Sequence, residues 1–345
     1  MNEAITYDNY IAIDWAQETM AIARMTNKQD KIKVFEGPSD VRGIREFLKG
    51  LRGTKILTIE ESTASQWLYT EFREHVDRLL VCDPYRNRLL SEGAKNDKID
   101  ATKLVRLLRS DMLKEVFHSG DEFIYLRKIV SGYDDLIRSG VQAKNQRSAL
   151  LRAIGKSHKK DSFPPELLAD KFVLDRLERR IEDYKTQKAE YEREFQRLCK
   201  KHKSIKNLKT IPGIGDIHAV QIAATVVDAK RFENQGRFLS YCGLVKLERM
   251  SGGKSYGKKS PRYNRAFKHV FKMASQSVIQ AGVTNPMHQF YEYLINEKKK
   301  SEYIARHTIA RKIAVLSYGI LKTNKAFDLK KFGGTKKTEK DLVRS

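Results

Sequence analysis

Residues 10–25 read YIAIDWAQETMAIARM. Two short apolar runs, at 10–16 and 19–25, flank a polar turn, the pattern of a buried β-hairpin. Asp14 interrupts the first run, and a carboxylate in a buried strand is costly unless something compensates it. Working outward, KIKVFEG at 31–37 predicts a third strand, and SDVRGIREFLKG predicts a helix over 39–52 with Ser39 as candidate cap. KILTIEE follows as a strand, SQWLYTEFREHV as a helix, RLLVCDP as a strand stopped by Pro84, and 97–110 as a further helix. Three antiparallel strands followed by alternating helix and strand predict an α/β domain.

Three more acids join Asp14. Glu60 ends the apolar run of ILTIEESTAS, where Glu61 competes with it, and strand alternation lets only one of the two point toward a site. Asp97 and Asp100 in AKNDKIDATKLVRLL are spaced i, i+3, which puts both carboxylates on one helical face. Each acid alone is an ordinary turn or cap residue. Together they suit Mg²⁺, which is held by carboxylate oxygens and substrate phosphates, and two such ions can clamp a phosphodiester in transfer.

Charge points to the same class of substrate. The chain carries 67 Lys and Arg against 43 Asp and Glu, a net charge of +24. Residues 1–110 hold 18 basic and 17 acidic residues, whereas the rest hold 49 and 26. A nearly neutral acidic-site lobe joined to a strongly basic lobe suits an enzyme of nucleic acids, the basic part supplying phosphate affinity and steering. No apolar run approaches the ~20 residues of a spanning helix, and MNEAITYDNY lacks the features of a secretory signal. Cys82, Cys199 and Cys242 are far apart, and the eight histidines show no zinc-ligand spacing. The expectation is a cytoplasmic, reduced, zinc-free protein with no membrane partner.

From about 120 to 205 the pattern is helical and highly charged, broken at HKKDSFPPELL by Pro164 and Pro165. In the second long helix Leu174, Leu177, Ile181, Tyr184, Tyr191, Phe195 and Leu198 recur at three- to four-residue steps, which predicts an antiparallel coiled-coil arm. LKTIPGIGDIHAVQIAATVV at 208–227 reads as a helix-hairpin-helix, with Gly213 and Gly215 placed for close approach to a phosphate; simple helix packing is the competing reading. Between 246 and 272 stand nine Lys or Arg and one Glu, with Tyr256 and Tyr263 interleaved. Lys254, Lys258, Lys259, Arg262 and Arg265 are the first candidates for nucleic-acid contact. Gly252, Gly253 and Gly257 suggest a flexible loop there, and Ser251 precedes two of them. The tail after 325 reads as basic and disordered.

In order and spacing, IAIDWA, TIEESTAS, KNDKIDATKLVRLL, IPGIG, YCGLV with ER and SGGK, and the Asn-Arg pair of PRYNRAFKHVF resemble the DEDD-type insertion-sequence transposases of the IS110 group, related to Piv-type DNA invertases. The resemblance covers most of the chain. It implies an RNase H/RuvC-like N-terminal domain (1–118), a helical coiled-coil middle (119–205), a mainly helical C-terminal transposase domain (206–325) and a basic tail (326–345). It implies a metal site of Asp14, Glu60, Asp97 and Asp100, occupied by Mg²⁺ or, in its place, Mn²⁺, and a serine nucleophile matching Ser251. It also implies donor and target DNA and a noncoding bridge RNA as partners, and a dimer or tetramer. Tyr241 and Tyr256 are the rival nucleophiles. The competing activity is a metal-dependent nuclease or Holliday-junction resolvase that uses activated water; the competing non-enzyme is an architectural nucleic-acid-binding protein.

Overall fold

The computed structural model describes residues 6–84, 96–118, 121–156, 166–282 and 285–328. The chain divides into two compact units, 1–121 and 122–345.

The first unit is a six-stranded mixed sheet with helices on both faces. The hairpin read from the opening stretch forms as β1 (Asn9–Trp15) and β2 (Thr19–Thr26), paired antiparallel, and β3 (Gln29–Pro38) pairs antiparallel with β2. Then come α1 (Val41–Gly50), β4 (Lys55–Glu60), α2 (Ser65–Phe72), β5 (Arg78–Cys82), α3 (Asp97–Arg109) and the short β6 (Glu115–Val116). Strand order is β3-β2-β1-β4-β5-β6, with β1, β4 and β5 mutually parallel and β6 antiparallel to β5. The central strands read as near-continuous apolar runs because both faces are covered. Ile11, Ile13, Leu57 and Ile59 join Ile44 and Leu48 of α1 and Leu68 and Phe72 of α2 in one core layer. Tyr10, Ala12, Ala21, Ala23 and Ile56 join Ala101, Leu104, Val105 and Leu108 of α3 in the other. The alanines on that second face leave room for α3 to lie close on β1 and β2. Asp40, not Ser39, caps α1, accepting from the Arg42 amide at 3.0 Å. The Ser39 hydroxyl is turned away, donating to the Ala16 carbonyl at 2.8 Å.

The second unit begins with two long helices, α4 (Asp121–Ala153) and α5 (Leu168–Lys201). Contacts from Tyr125–Glu194 at one end to Arg147–Glu178 at the other run in opposite directions along the two sequences, so the pair is antiparallel. Gly132 and Gly140 of α4 form the holes: a Cβ there would meet the Tyr191 hydroxyl at 2.4 Å and the Tyr184 ring at 2.2 Å. The expected break at Pro164 and Pro165 and the tail from 329 onward lie outside the described residues. Leu126, Tyr133, Phe195, Leu198 and Cys199 carry the base of this arm into the core of the rest of the unit.

That core is built by α6 (Lys203–Leu208), α7 (Asp216–Val226), α8 (Gln235–Tyr241), α9 (Arg265–Gln280), α10 (Pro286–Asn296) and α11 (Glu302–Thr323). Between α8 and α9 a two-stranded sheet, β7 (Leu247–Ser251) and β8 (Lys254–Lys259), stands fully exposed. Among the described residues no helix is long and apolar enough to cross a membrane.

Candidate active site

Alternation along β1 and β4 decides where two of the four acids go. Tyr10 and Ala12 face α3, so Asp14, two and four residues on, ends β1 on that face, beside Ala21 of β2. Ile56 also faces α3, so Glu60 ends β4 on the same side. The parallel register pairs Ile13 with Ile59, which makes Asp14 and Glu60 the next residues on adjacent strands. Glu61 lies beyond the strand and is exposed, its amide donating to the Cys82 carbonyl at 3.0 Å.

α3 supplies the other two. Its cap is Asn96, whose side chain accepts from the Lys98 amide at 2.9 Å. Asp97 and Asp100 therefore sit in the first turn without being needed as caps, and they continue toward its N-terminus the stripe of Ala101, Leu104, Val105 and Leu108 that the helix buries on the sheet. Asp100 is half-buried, with the Lys103 ammonium 4.0 Å away, and Asp97 is exposed.

Two of the four carboxylates are raised by burial and by the charges of the others. Burial, then the charges of Asp97, Glu60 and Asp100, push the Asp14 carboxyl up to about 6. Burial and then Asp100 raise Glu60. Like charges gathered in a partly desolvated place disfavour ionisation, and this donor set of oxygens alone fits a hard divalent cation. As they stand, the side chains do not close on one point: among the described residues no three His, Cys, Asp or Glu form a group able to hold an ion. The residues fit the metal in chemistry and in face, and an ion would draw in the exposed Asp97 and half-buried Asp100 from the helix.

Ser251 lies in the second unit. The segment expected as a flexible loop is a hairpin: Ser251 ends β7, pairs with Lys254 across Gly252 and Gly253, and is exposed. Both glycines have positive φ, 54° and 76°, as the two central residues of a tight type I′ turn require. This explains the glycines by backbone geometry and leaves the Ser251 hydroxyl open. The neighbouring Ser255 is engaged, its hydroxyl donating to Glu248 Oε1 at 2.7 Å. Lys254, Lys258 and Lys259 stand on β8, Arg262 follows it, and Arg265 opens α9; all are exposed. Tyr256 is exposed on the same hairpin, whereas Tyr241 is partly buried against Phe232 and Phe267.

The PGIG turn separates its two glycines. Gly213 has φ +85°, and a Cβ there would lie 2.4 Å from the Ala274 carbonyl oxygen of α9, so close packing requires it. Gly215 caps α7 and faces open space. Of the pair, Gly215 is the more exposed.

Comparison with known proteins places both units. A model of the DEDD transposases of the IS110 group matches residues 11–155, which include all four acids. A model described as the transposase IS116/IS110/IS902 family matches residues 205–292, which include Gly213, Gly215 and Ser251. The transposase for insertion sequence element IS1328 of Yersinia enterocolitica is 25% identical over 214 residues, 58% of this chain and 63% of that protein. The insertion element IS116 uncharacterized 44.8 kDa protein of Streptomyces clavuligerus is 27% identical over 124 residues, 34% of this chain and 29% of that protein. The chain thus spans less than two thirds of the length of either relative.

Proposed function

Because the chain belongs to the IS116/IS110/IS902 family of transposases, we propose that it is a DNA recombinase of an insertion sequence, cutting and rejoining strands through a carboxylate metal site and a serine nucleophile. The observation that carries this reading is the placement of Asp14, Glu60, Asp97 and Asp100 on the α3 face of the sheet, with the Asp14 carboxyl pushed up to about 6. A half-buried carboxylate perturbed by desolvation and by three other acids has little structural use, and perturbed groups of this kind cluster at functional sites. In this reading the sheet is an RNase H/RuvC-like fold, α6, the PGIG turn and α7 form a helix-hairpin-helix, and α4 and α5 form a coiled-coil arm.

The four acids would hold Mg²⁺, or Mn²⁺ in its place. When bound, the ion polarises the scissile phosphate and stabilises the leaving oxygen. Ser251 Oγ forms the new bond to phosphorus, the bond to the leaving sugar oxygen breaks, and the hydroxyl proton ends on that oxygen. Rejoining reverses the exchange, and the phosphoserine link keeps the bond energy in between. The lysines of β8 draw the phosphate toward the hydroxyl. Joining donor to target brings two duplexes together, which suits a dimer or tetramer of the chain. By analogy with the family a noncoding bridge RNA pairs with both DNAs, and the basic second unit is suited to bind it.

The test is strand cleavage and joining by the full chain on its element's junction DNA, with its noncoding RNA and Mg²⁺. Asp14→Asn and Asp100→Asn should remain folded and lose both activities. Full recombination by either folded variant removes these residues from the site. Cleavage without a covalent protein–DNA link would favour the hydrolytic nuclease instead.

A further inference from the structure

α9 and α11 pack together through a core that includes Phe267, Phe271 and Ala274 on one helix and Ile309 and Ile313 on the other. Above that core Lys268 and Lys272 stand one turn apart on α9, and His307 and Arg311 one turn apart on α11. Lys246, just before β7, completes the group. The groups are close enough to act on one another. His307 is held below the ordinary histidine range first by burial, then by Arg311, Lys268, Lys246 and Lys272, all of them cations.

No carboxylate is among the charges that act on His307. Glu302 pairs with Arg306 within α11, Glu248 accepts from Ser255 on the hairpin, and Asp134 accepts from Gln221. Lys268 lies over the Tyr263 ring, 4.6 Å from its centroid, and the Tyr303 ring lies 6.4 Å from that of His307. Tyr303 is among the most exposed aromatics of the chain. Four cations around a half-buried imidazole repel one another, and an anion relieves that repulsion. Cations on two packed helices, Lys268 and Lys272 on α9 and Arg311 on α11, with tyrosines at the side, match the general form of a strand-binding surface: charge for the backbone and rings for the bases.

We propose that Lys246, Lys268, Lys272, His307 and Arg311 form a phosphate-binding cleft that holds the sugar-phosphate backbone of a nucleic-acid strand, distinct from the lysines of the β7–β8 hairpin. The proposal rests on the reading of the second unit as a nucleic-acid-binding body. Protonation of His307 strengthens the grip, since a bound phosphate favours the charged imidazole.

The experiment measures binding of the full chain to a fluorescent single-stranded oligonucleotide, as DNA and as RNA of one sequence, across a salt series. The variants are Lys268→Gln/Lys272→Gln/Arg311→Gln and, separately, Lys254→Gln/Lys258→Gln/Lys259→Gln, each checked by thermal melting. The cleft variant should lose about tenfold or more in affinity near physiological salt, and its log–log salt slope should shrink by ~2, since each lost phosphate contact on a single strand removes about 0.7. A parallel loss for DNA and RNA identifies the backbone as ligand; a loss for one alone identifies that strand. By NMR, the His307 imidazole of the wild type should titrate at higher pH when the oligonucleotide is bound. Wild-type affinity and slope in the folded cleft variant, with loss in the hairpin variant, would overturn the cleft and leave the wider reading standing. Failure of the wild type to bind either strand would overturn both. A His307 shift with pyrophosphate alone, and none with oligonucleotide, would make the cleft a small-anion site and overturn the proposal.

Discussion

Asp14 and Glu60 stand side by side on adjacent parallel strands, each one residue beyond the paired Ile13 and Ile59, and both face α3. Burial first, and then the charges of Asp97, Glu60 and Asp100, raise the cost of ionising Asp14. That arrangement predicts a first unit sensitive to pH and, if the proposed site holds an ion, to divalent cations.

Asp14 titrates near 6 in the folded chain, against 3.8 as its ordinary value. Between these limits the folded state keeps a proton that the unfolded chain has released, so stability falls as pH rises through that window and stays lower above it. Asp14→Asn should flatten this dependence and stabilise the protein near pH 7 by ~1–2 kcal/mol, the shift being discounted for partial exposure. Mg²⁺ should raise the wild-type melting temperature at pH 7 and have little effect at pH 4. Melting curves of wild type and variant across pH 4–7, with and without Mg²⁺, check both statements.

Glu60 and Glu61 are adjacent in sequence but not in role. Glu60→Gln should abolish strand cleavage, because its carboxylate lies on the α3 face with Asp100 acting on it. Glu61→Gln should stay within about twofold of wild type, as expected for an exposed side chain away from the site. Parallel cleavage assays of the two folded variants decide; a severe loss at Glu61 alone would reverse the assignment.

The two glycines of the PGIG turn should also part company. Gly213→Ala should destabilise the second unit by ~2–4 kcal/mol, since it combines a positive φ with a clash against the Ala274 backbone. Gly215→Ala meets open space and should cost at most about 1 kcal/mol as a poorer cap. If Gly215→Ala weakens nucleic-acid binding while the melting temperature holds, the phosphate contact is at Gly215.

Thr58 is wholly buried two residues before Glu60, and its hydroxyl has no hydrogen-bond partner among the described residues. Thr58→Val keeps the shape and removes the unpaired polar atom, so it should stabilise the protein by about 1 kcal/mol. Chemical denaturation of the two proteins measures this directly.

Much of the first unit was legible because its strands are both apolar and short, and its turns are marked by Gly, Pro and polar residues. The run at 10–16 and its partner at 19–25 form the central hairpin almost residue for residue. Alternation identified the competition between Glu60 and Glu61 but could not resolve it, because which face α3 covers is a tertiary fact. Ser39 was the expected cap of α1, yet Asp40 takes the place; adjacent capping residues compete by backbone geometry that sequence does not fix. The β7–β8 hairpin was read as loop because its residues are polar and exposed on both faces, so no period-2 pattern marks it. The cluster around His307 was invisible for a different reason. Lys246 and Arg311 are 65 residues apart, and only the packing of α9 on α11 brings their charges to one imidazole.

In the proposed reaction an exposed serine in the basic unit takes the DNA phosphate onto itself. The most direct measurement is to incubate the full chain with its junction DNA, its noncoding RNA and Mg²⁺, denature rapidly, digest, and map the protein–DNA link by mass spectrometry. A phosphoserine link at Ser251 is expected, absent in Ser251→Ala, which should melt as the wild type does because the side chain is exposed on a hairpin. A link at Tyr241 or Tyr256, or strand exchange undiminished in Ser251→Ala, would contradict it.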